Sequence, residues 1–192
     1  MSELFSIQLQ NRQQQGRDGI WLDLPTTTEQ VQAALRQIGI SSDNPQGLFI
    51  SGYFAEEEKR FAIPYNMVLA SNVDELNFLA SRLETLSTGE RAELNAALQA
   101  PQSELFSIGR ITDFPENVDY YVHLPDVHGP AQLGDYCLNR SGMVDMPEEW
   151  KGGIDTAQFG RYVAQQEQGV FTEYGYLVKS GDAWQKVHEG QP

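Results

Sequence analysis

The sequence is short of cysteine, of basic side chains and of long apolar runs, and each shortage excludes something. The single cysteine, Cys137, cannot close an internal disulfide and excludes a multi-cysteine zinc cluster. No stretch approaches the roughly 18 consecutive apolar residues that a membrane-spanning helix needs, so no membrane contact is expected. Met1 to Gln15 lacks the basic start and apolar centre of a secretory signal, which makes the cytoplasm the expected compartment. Lysine and arginine number 13 against 27 acids, a formal net charge of -14. Residues 1–100 hold 13 acids and 7 bases, and residues 101–192 hold 14 acids and 6 bases. Neither half is a basic reader domain, so nucleic acid is not an expected ligand. P-loop, G-x-G-x-x-G, G-x-S-x-G and H-E-x-x-H motifs are all missing.

What is present is a 192-residue chain of globular composition, 40% hydrophobic and 10% aromatic, long enough to bury a core. One hexapeptide recurs: Ser2-Glu3-Leu4-Phe5-Ser6-Ile7 returns unchanged as Ser103-Glu104-Leu105-Phe106-Ser107-Ile108. Each copy leads to a second alternating segment stopped by Leu-Pro, Gly19 to Pro25 in the first case and Asp119 to Pro125 in the second. This reads as strand, loop, strand, twice. Between the copies the period lengthens to that of a helix, with a stripe of Leu76, Leu79, Ala80, Leu83 and Leu86, a turn at Ser87 to Glu90, and a second helix over Ala92 to Leu98. Ile63-Pro64 and Ala100-Pro101 bound this helical hairpin, because the residue before proline avoids the α region. A helix from Thr27 or Thr28 through Ile38 and a strand from Gly47 to Phe54 complete the first part; helices near Gln132 to Arg140 and Thr156 to Gln166, then a strand from Tyr174 to Lys179, complete the last. The expected class is α+β, in three small domains: a sheet with a helix at 1–64, a helical domain at 65–102 and an α+β domain at 103–192.

Candidate chemistry is sparse. His123, Asp126 and His128 sit close enough for a metal site, and equally suit solvated turns in a Pro/Gly-rich loop. Cys137 falls on the apolar face of a helix with nothing nearby to lower its pKa, the pattern of a packed thiol. Glu148 and Glu149 are adjacent carboxylates, but neighbours on a helix point in different directions and need not share a site. No cofactor is implied.

The acids themselves form the one remaining pattern. Asp113 to Asp155 holds nine (Asp113, Glu116, Asp119, Asp126, Asp135, Asp145, Glu148, Glu149 and Asp155) against Arg140 and Lys151. Solubility alone explains acidity in many proteins. Pairs such as Glu90 with Glu93, or Asp145 with Glu148 and Glu149, nonetheless have helical neighbour spacing, about 5 to 6 Å. B-DNA carries one charge per roughly 1.7 Å, so carboxylates at such spacings stand in for some phosphates, and only in part.

Six segments stand in order along the chain: Gly19-Ile20-Trp21-Leu22-Asp23-Leu24-Pro25 before a helix, Asp74-Glu75-Leu76-Asn77-Phe78-Leu79-Ala80, Leu133-Gly134-Asp135-Tyr136, Met146-Pro147-Glu148-Glu149-Trp150, Ile154 to Arg161, and Phe171 to Tyr176. Together they resemble the ArdA family of antirestriction proteins. The resemblance implies an elongated three-domain chain, dimeric through its last domain, whose acids imitate bent duplex DNA. It also implies a partner: the DNA-binding groove of a type I restriction-modification enzyme, occupied without catalysis or metal. The acidic surface would comprise Glu56, Glu57, Glu58, Asp74, Glu75, Glu90 and Glu93 together with the nine acids from Asp113 to Asp155, and Leu133, Tyr136 and Cys137 are the candidate dimer contacts. Two departures stand out. Arg140-Ser141-Gly142 puts a cation where the family pattern has a glutamate two residues before a glycine, and the material after Lys179 exceeds the typical length, as a loose tail would. The competing readings are an acidic adaptor for another basic DNA-binding protein and an enzyme built on His123 and Asp126.

Overall fold

A computed structural model describes residues 3–14, 18–41, 45–57, 60–101 and 103–188. In chain order the elements are β1 (Phe5–Asn11), β2 (Ile20–Leu24), α1 (Thr28–Gln37), β3 (Leu48–Phe54), α2 (Tyr65–Leu69), α3 (Val73–Leu83), α4 (Thr88–Gln99), α5 (Ile108–Thr112), β4 (Tyr121–Leu124), α6 (Pro130–Asp135), α7 (Glu148–Lys151), α8 (Thr156–Glu167), β5 (Val170–Thr172) and β6 (Gly175–Lys179). The class is α+β. Contacts divide the chain into two compact units: unit 1 is Met1–Ser87, Leu105–Glu116 and Lys186–Pro192, and unit 2 is Thr88–Glu104 and Asn117–Gln185. This grouping does not follow the expected chain-order division. α3 packs on α5 and β2 within unit 1, whereas α4 packs on β4 and β6 within unit 2, so the two helices expected as one domain belong to different cores.

Unit 1 is built on an antiparallel sheet of order β2-β1-β3. β1 is central and buried along nearly its whole length, with Ile7 and Leu9 fully enclosed, while β2 alternates as its sequence predicts, Leu22 and Leu24 inward and Trp21 and Asp23 outward. The Thr27 side chain caps α1 in a capping box with Gln30. Asn72 caps α3, whose buried face of Val73, Leu76, Leu79, Ala80 and Leu83 is the stripe read from the sequence. Asn77 on that helix exchanges two hydrogen bonds with the Thr26 backbone, at 2.7 and 3.0 Å, fixing the chain where it leaves β2.

The second copy of the repeated hexapeptide is not a strand. Ser107 is the N-cap of α5, accepting from the Arg110 amide, and Ile108 and Ile111 share its buried face. The first copy continues as Gln8-Leu9-Gln10-Asn11, whose alternation suits a sheet between two partners; the second continues as Gly109-Arg110-Ile111-Thr112, which puts apolar residues three apart.

Unit 2 carries an antiparallel sheet of order β4-β6-β5, in which β5 and β6 form a hairpin absent from the sequence reading. Gly175 opens β6 at a φ of 120°, where a side chain is strained, and an added Cβ would strike the Leu124 carbonyl. α6 and α8 press together through two glycines. A Cβ at Gly134 would meet the Thr156 carbonyl oxygen at 1.9 Å, and one at Gly160 the Pro130 carbonyl oxygen at 1.8 Å. The turn Tyr136–Arg140 continues α6 with π-helical bonding, so this helix runs on to Arg140 as the sequence suggested. No helix among the described residues is long and apolar enough to cross a membrane.

Candidate functional site

The acids fall into three groups by environment. Eleven of those singled out lie exposed: Glu56, Glu57, Asp74, Glu75, Glu116, Asp119, Asp126, Asp145, Glu148, Glu149 and Asp155. Helix ends hold several of them. Asp74 and Glu75 occupy the first turn of α3, Glu148 and Glu149 that of α7, and Asp155 caps α8 by accepting from the Gln158 amide at 3.0 Å. The positive end of a helix dipole favours carboxylates there, so the local fold and the surface charge share one cause.

A second group, which shares Glu116 and Glu148 with the first, is half-buried or paired. Asp135 accepts from Asn139 at 2.9 Å and pairs with Arg140 at 3.1 Å, so the cation that departs from the family pattern neutralises a neighbouring acid. Glu148 pairs with Lys151 at 2.6 Å, and Glu116 with Arg82. Glu90 and Glu93 lie half-buried on α4. Burial, then the Glu90 and Asp119 charges, push the Glu93 carboxyl up to about 8, and its Oε1 has no hydrogen-bond partner among the described residues. Glu93 is therefore mostly neutral at pH 7 and adds little to an anionic surface.

The third group corrects the sequence reading. Asp113, expected on the acidic surface, is 2% exposed. Its Oδ1 accepts from the His188 amide at 2.8 Å and lies 3.0 Å from His188 Nδ1, which makes it a structural carboxylate. Leu133 and Cys137, expected at a dimer interface, are 1% and 4% exposed and belong to the core of unit 2 with Val127, Ala164 and Tyr176; Tyr136 packs against that core and is half-buried. The burial of Cys137 agrees with its reading as a packed thiol. Glu58 lies outside the described residues.

His123 Nε2 bonds the Tyr174 carbonyl at 2.7 Å, Asp126 and His128 are exposed, and no group of three or more His, Cys, Asp and Glu is placed to hold a metal among the described residues. Burial and the nearby Glu167 charge push the Cys137 thiol above its ordinary value, away from the reactive thiolate. Unit 2 has two open clefts, of about 430 Å³ beside Glu167 and Lys179 and about 420 Å³ beside Asp126, Asp135 and Arg140. Neither described lining includes a serine, cysteine or histidine.

Sequence reasoning missed three partners that set these charges. Arg82 and Lys151 neutralise acids in place, and His188, in the segment read as a loose tail, holds Asp113 inside. The i, i+3 spacing of Glu148 and Lys151 was a usable signal; Arg82 with Glu116 and Asp113 with His188 are separated by 34 and 75 residues and left none.

Comparison with known proteins agrees with the segments quoted above. No curated protein matches the chain. The family model for antirestriction protein (ArdA) matches residues 15–178, which include every helix named above and every acid of the exposed group. Over that span, the greater part of its length, the chain belongs to the ArdA antirestriction family.

Proposed function

We propose that this protein inhibits restriction-modification enzymes without catalysis, by offering carboxylates where the target's DNA-binding groove expects phosphates. The observation that carries the reading is the exposed group of eleven acids on a chain of net charge -14, held at helix starts and turns in both units. Lys and Arg that contact phosphate in the target's groove meet these carboxylates, and both surfaces release counterions on binding. The target is a type I restriction-modification enzyme, and the inhibitor acts in the cytoplasm as a homodimer through the C-terminal part of the chain. Of Leu133, Tyr136 and Cys137, Tyr136 alone reaches the surface enough to contribute to that contact.

The test is a titration of a purified type I enzyme with this protein at two salt concentrations. Inhibition saturating at one or two chains per enzyme, and weakening steeply with salt, is the expected result. Turnover by substoichiometric protein, or inhibition indifferent to salt, overturns it. Tight, salt-dependent binding to a different basic DNA-binding protein, with no effect on restriction, transfers the reading to the acidic adaptor.

A further inference from the structure

Residues 180–188 have no regular secondary structure, yet they are held by a series of specific bonds to residues 113–120. Its Ser180 amide donates to the Tyr120 carbonyl at 2.9 Å, and Trp184 meets the Tyr120 ring edge-on with centroids 5.1 Å apart. Gln185 and the buried Asn117 exchange two bonds: the Asn117 amide donates to the Gln185 carbonyl at 2.9 Å, and the Gln185 amide to Asn117 Oδ1 at 2.7 Å. His188 makes two contacts with the buried Asp113 and stands edge-on to Phe78 at 5.0 Å. The contacts of Ser180, Trp184 and Gln185 lie within unit 2, those of His188 within unit 1.

Residues 113–120 are two short 3-10 turns, Phe114–Glu116 and Val118–Tyr120, which carry Glu116 and Asp119 outward. The Glu116 amide donates to the Asp113 carbonyl at 3.2 Å in the first turn, and the Tyr120 amide to the Asn117 carbonyl at 3.0 Å in the second. Turns this short have little cooperativity of their own. The residues accepting those two bonds, Asp113 and Asn117, are the ones whose side chains the C-terminal segment engages. A buried carboxylate that loses a hydrogen-bond donor is driven toward water, and the turn it begins must follow.

We propose that residues 180–188 are a strap whose docking fixes these two turns, with His188 a positioning residue that acts through Asp113 on the placement of Glu116, and Trp184 with Gln185 doing the same for Asp119 through Tyr120 and Asn117. The use of Glu116 and Asp119 against a target rests on the function proposed above; the strap does not. The family match ends at residue 178, so the strap lies outside the matched region.

Hydrogen exchange on the full chain tests this without any target enzyme. In His188→Ala the amides of Asp113 and Glu116 should exchange at least tenfold faster while those of β1–β3 and α6–α8 keep their rates. His188→Asn, which retains a side-chain amide donor, should restore most of the protection. Trp184→Leu should act on the Tyr120 amide in the same way and serves as the independent test if His188→Ala does not fold. Unchanged exchange at both turns, or acceleration spread evenly over the chain, overturns the strap. Loosened turns with full inhibition of a type I enzyme leave the strap standing and remove Glu116 and Asp119 from the target contact.

Discussion

In unit 1 several acids serve the local fold. Asp23 accepts from Ser6 at 2.8 Å, Asp74 and Glu75 sit at the start of α3, Glu116 pairs with Arg82, and Asp113 is buried under His188. Glu29 belongs with them, its carboxyl held below the ordinary range by hydrogen bonds from its own backbone and from Thr27. In unit 2 the stretch 143–155 is different. Asp145, Glu148, Glu149 and Asp155 lie exposed around a four-residue helix, next to the exposed side chains of Met143 and Trp150, with Lys151 paired to Glu148. Acids in two parts of a chain therefore do not make the same kind of surface. Where neighbouring groups already compensate a carboxylate, removing it disturbs the fold; where only water does, removing it disturbs what the protein can bind.

The comparison breaks most sharply at the glycines. Gly160→Ala drives a methyl into the Pro130 carbonyl, where neither backbone can retreat, and should destabilise unit 2 by about 3 kcal/mol or more. Exchange rates should rise across α6, α8 and β4–β6 first. If β1–β3 melts at the same point, the two units fold as one and the contrast loses its basis.

Charge blocks come next. Replacing Asp126, Asp145, Glu148 and Glu149 by their amides removes four contacts of about 0 to 1 kcal/mol each, so target affinity should fall by roughly 100-fold and the salt slope should flatten. Outside the four-residue α7, whose first turn Glu148 and Glu149 occupy, folding should hold, since exposed acids on a chain of net charge -14 repel one another. The matching block in unit 1, Glu56, Glu57, Asp74 and Glu75, should instead lower stability, because Asp74 and Glu75 each favour the start of α3 by about 0.3 to 1 kcal/mol. Asp113 belongs in neither block, being buried. Calorimetric binding and thermal melts of both variants decide between these outcomes; equal effects of the two blocks on melting would erase the distinction.

The smallest effect sharpens the contrast within unit 2. Glu93 holds its proton up to about 8 in the folded chain against an ordinary 4.5, so the folded state binds that proton more tightly than the unfolded state. Its contribution to stability is fully present at low pH and is lost as pH rises from about 4.5 through 8. Glu93→Gln should thus leave stability near pH 5 almost unchanged and raise it at pH 9, by about 1 to 2 kcal/mol once solvent screening of a partly exposed group is allowed for. Melting curves at the two pH values check the sign.

Period and capping made much of the fold legible. The α3 stripe, the alternation of β2, the start of α8 at Asp155 and the α+β class depend on residues a few positions apart, whose geometry a helix or strand fixes locally. The negative charge and the family segments were equally plain, and they brought the function within reach. Tertiary structure decided the rest. It made one hexapeptide a strand at residues 5–7 and a helix start at 107–108, because neighbours distant in sequence offered the first copy two strands to pair with and the second an apolar face to cover. It turned Asp113 inward and Leu133 and Cys137 into core, and it tied down residues 180–188, through partners 75 residues apart in the case of Asp113 and His188. Burial and pairing are properties of what arrives from elsewhere in the chain, and no local spacing encodes them.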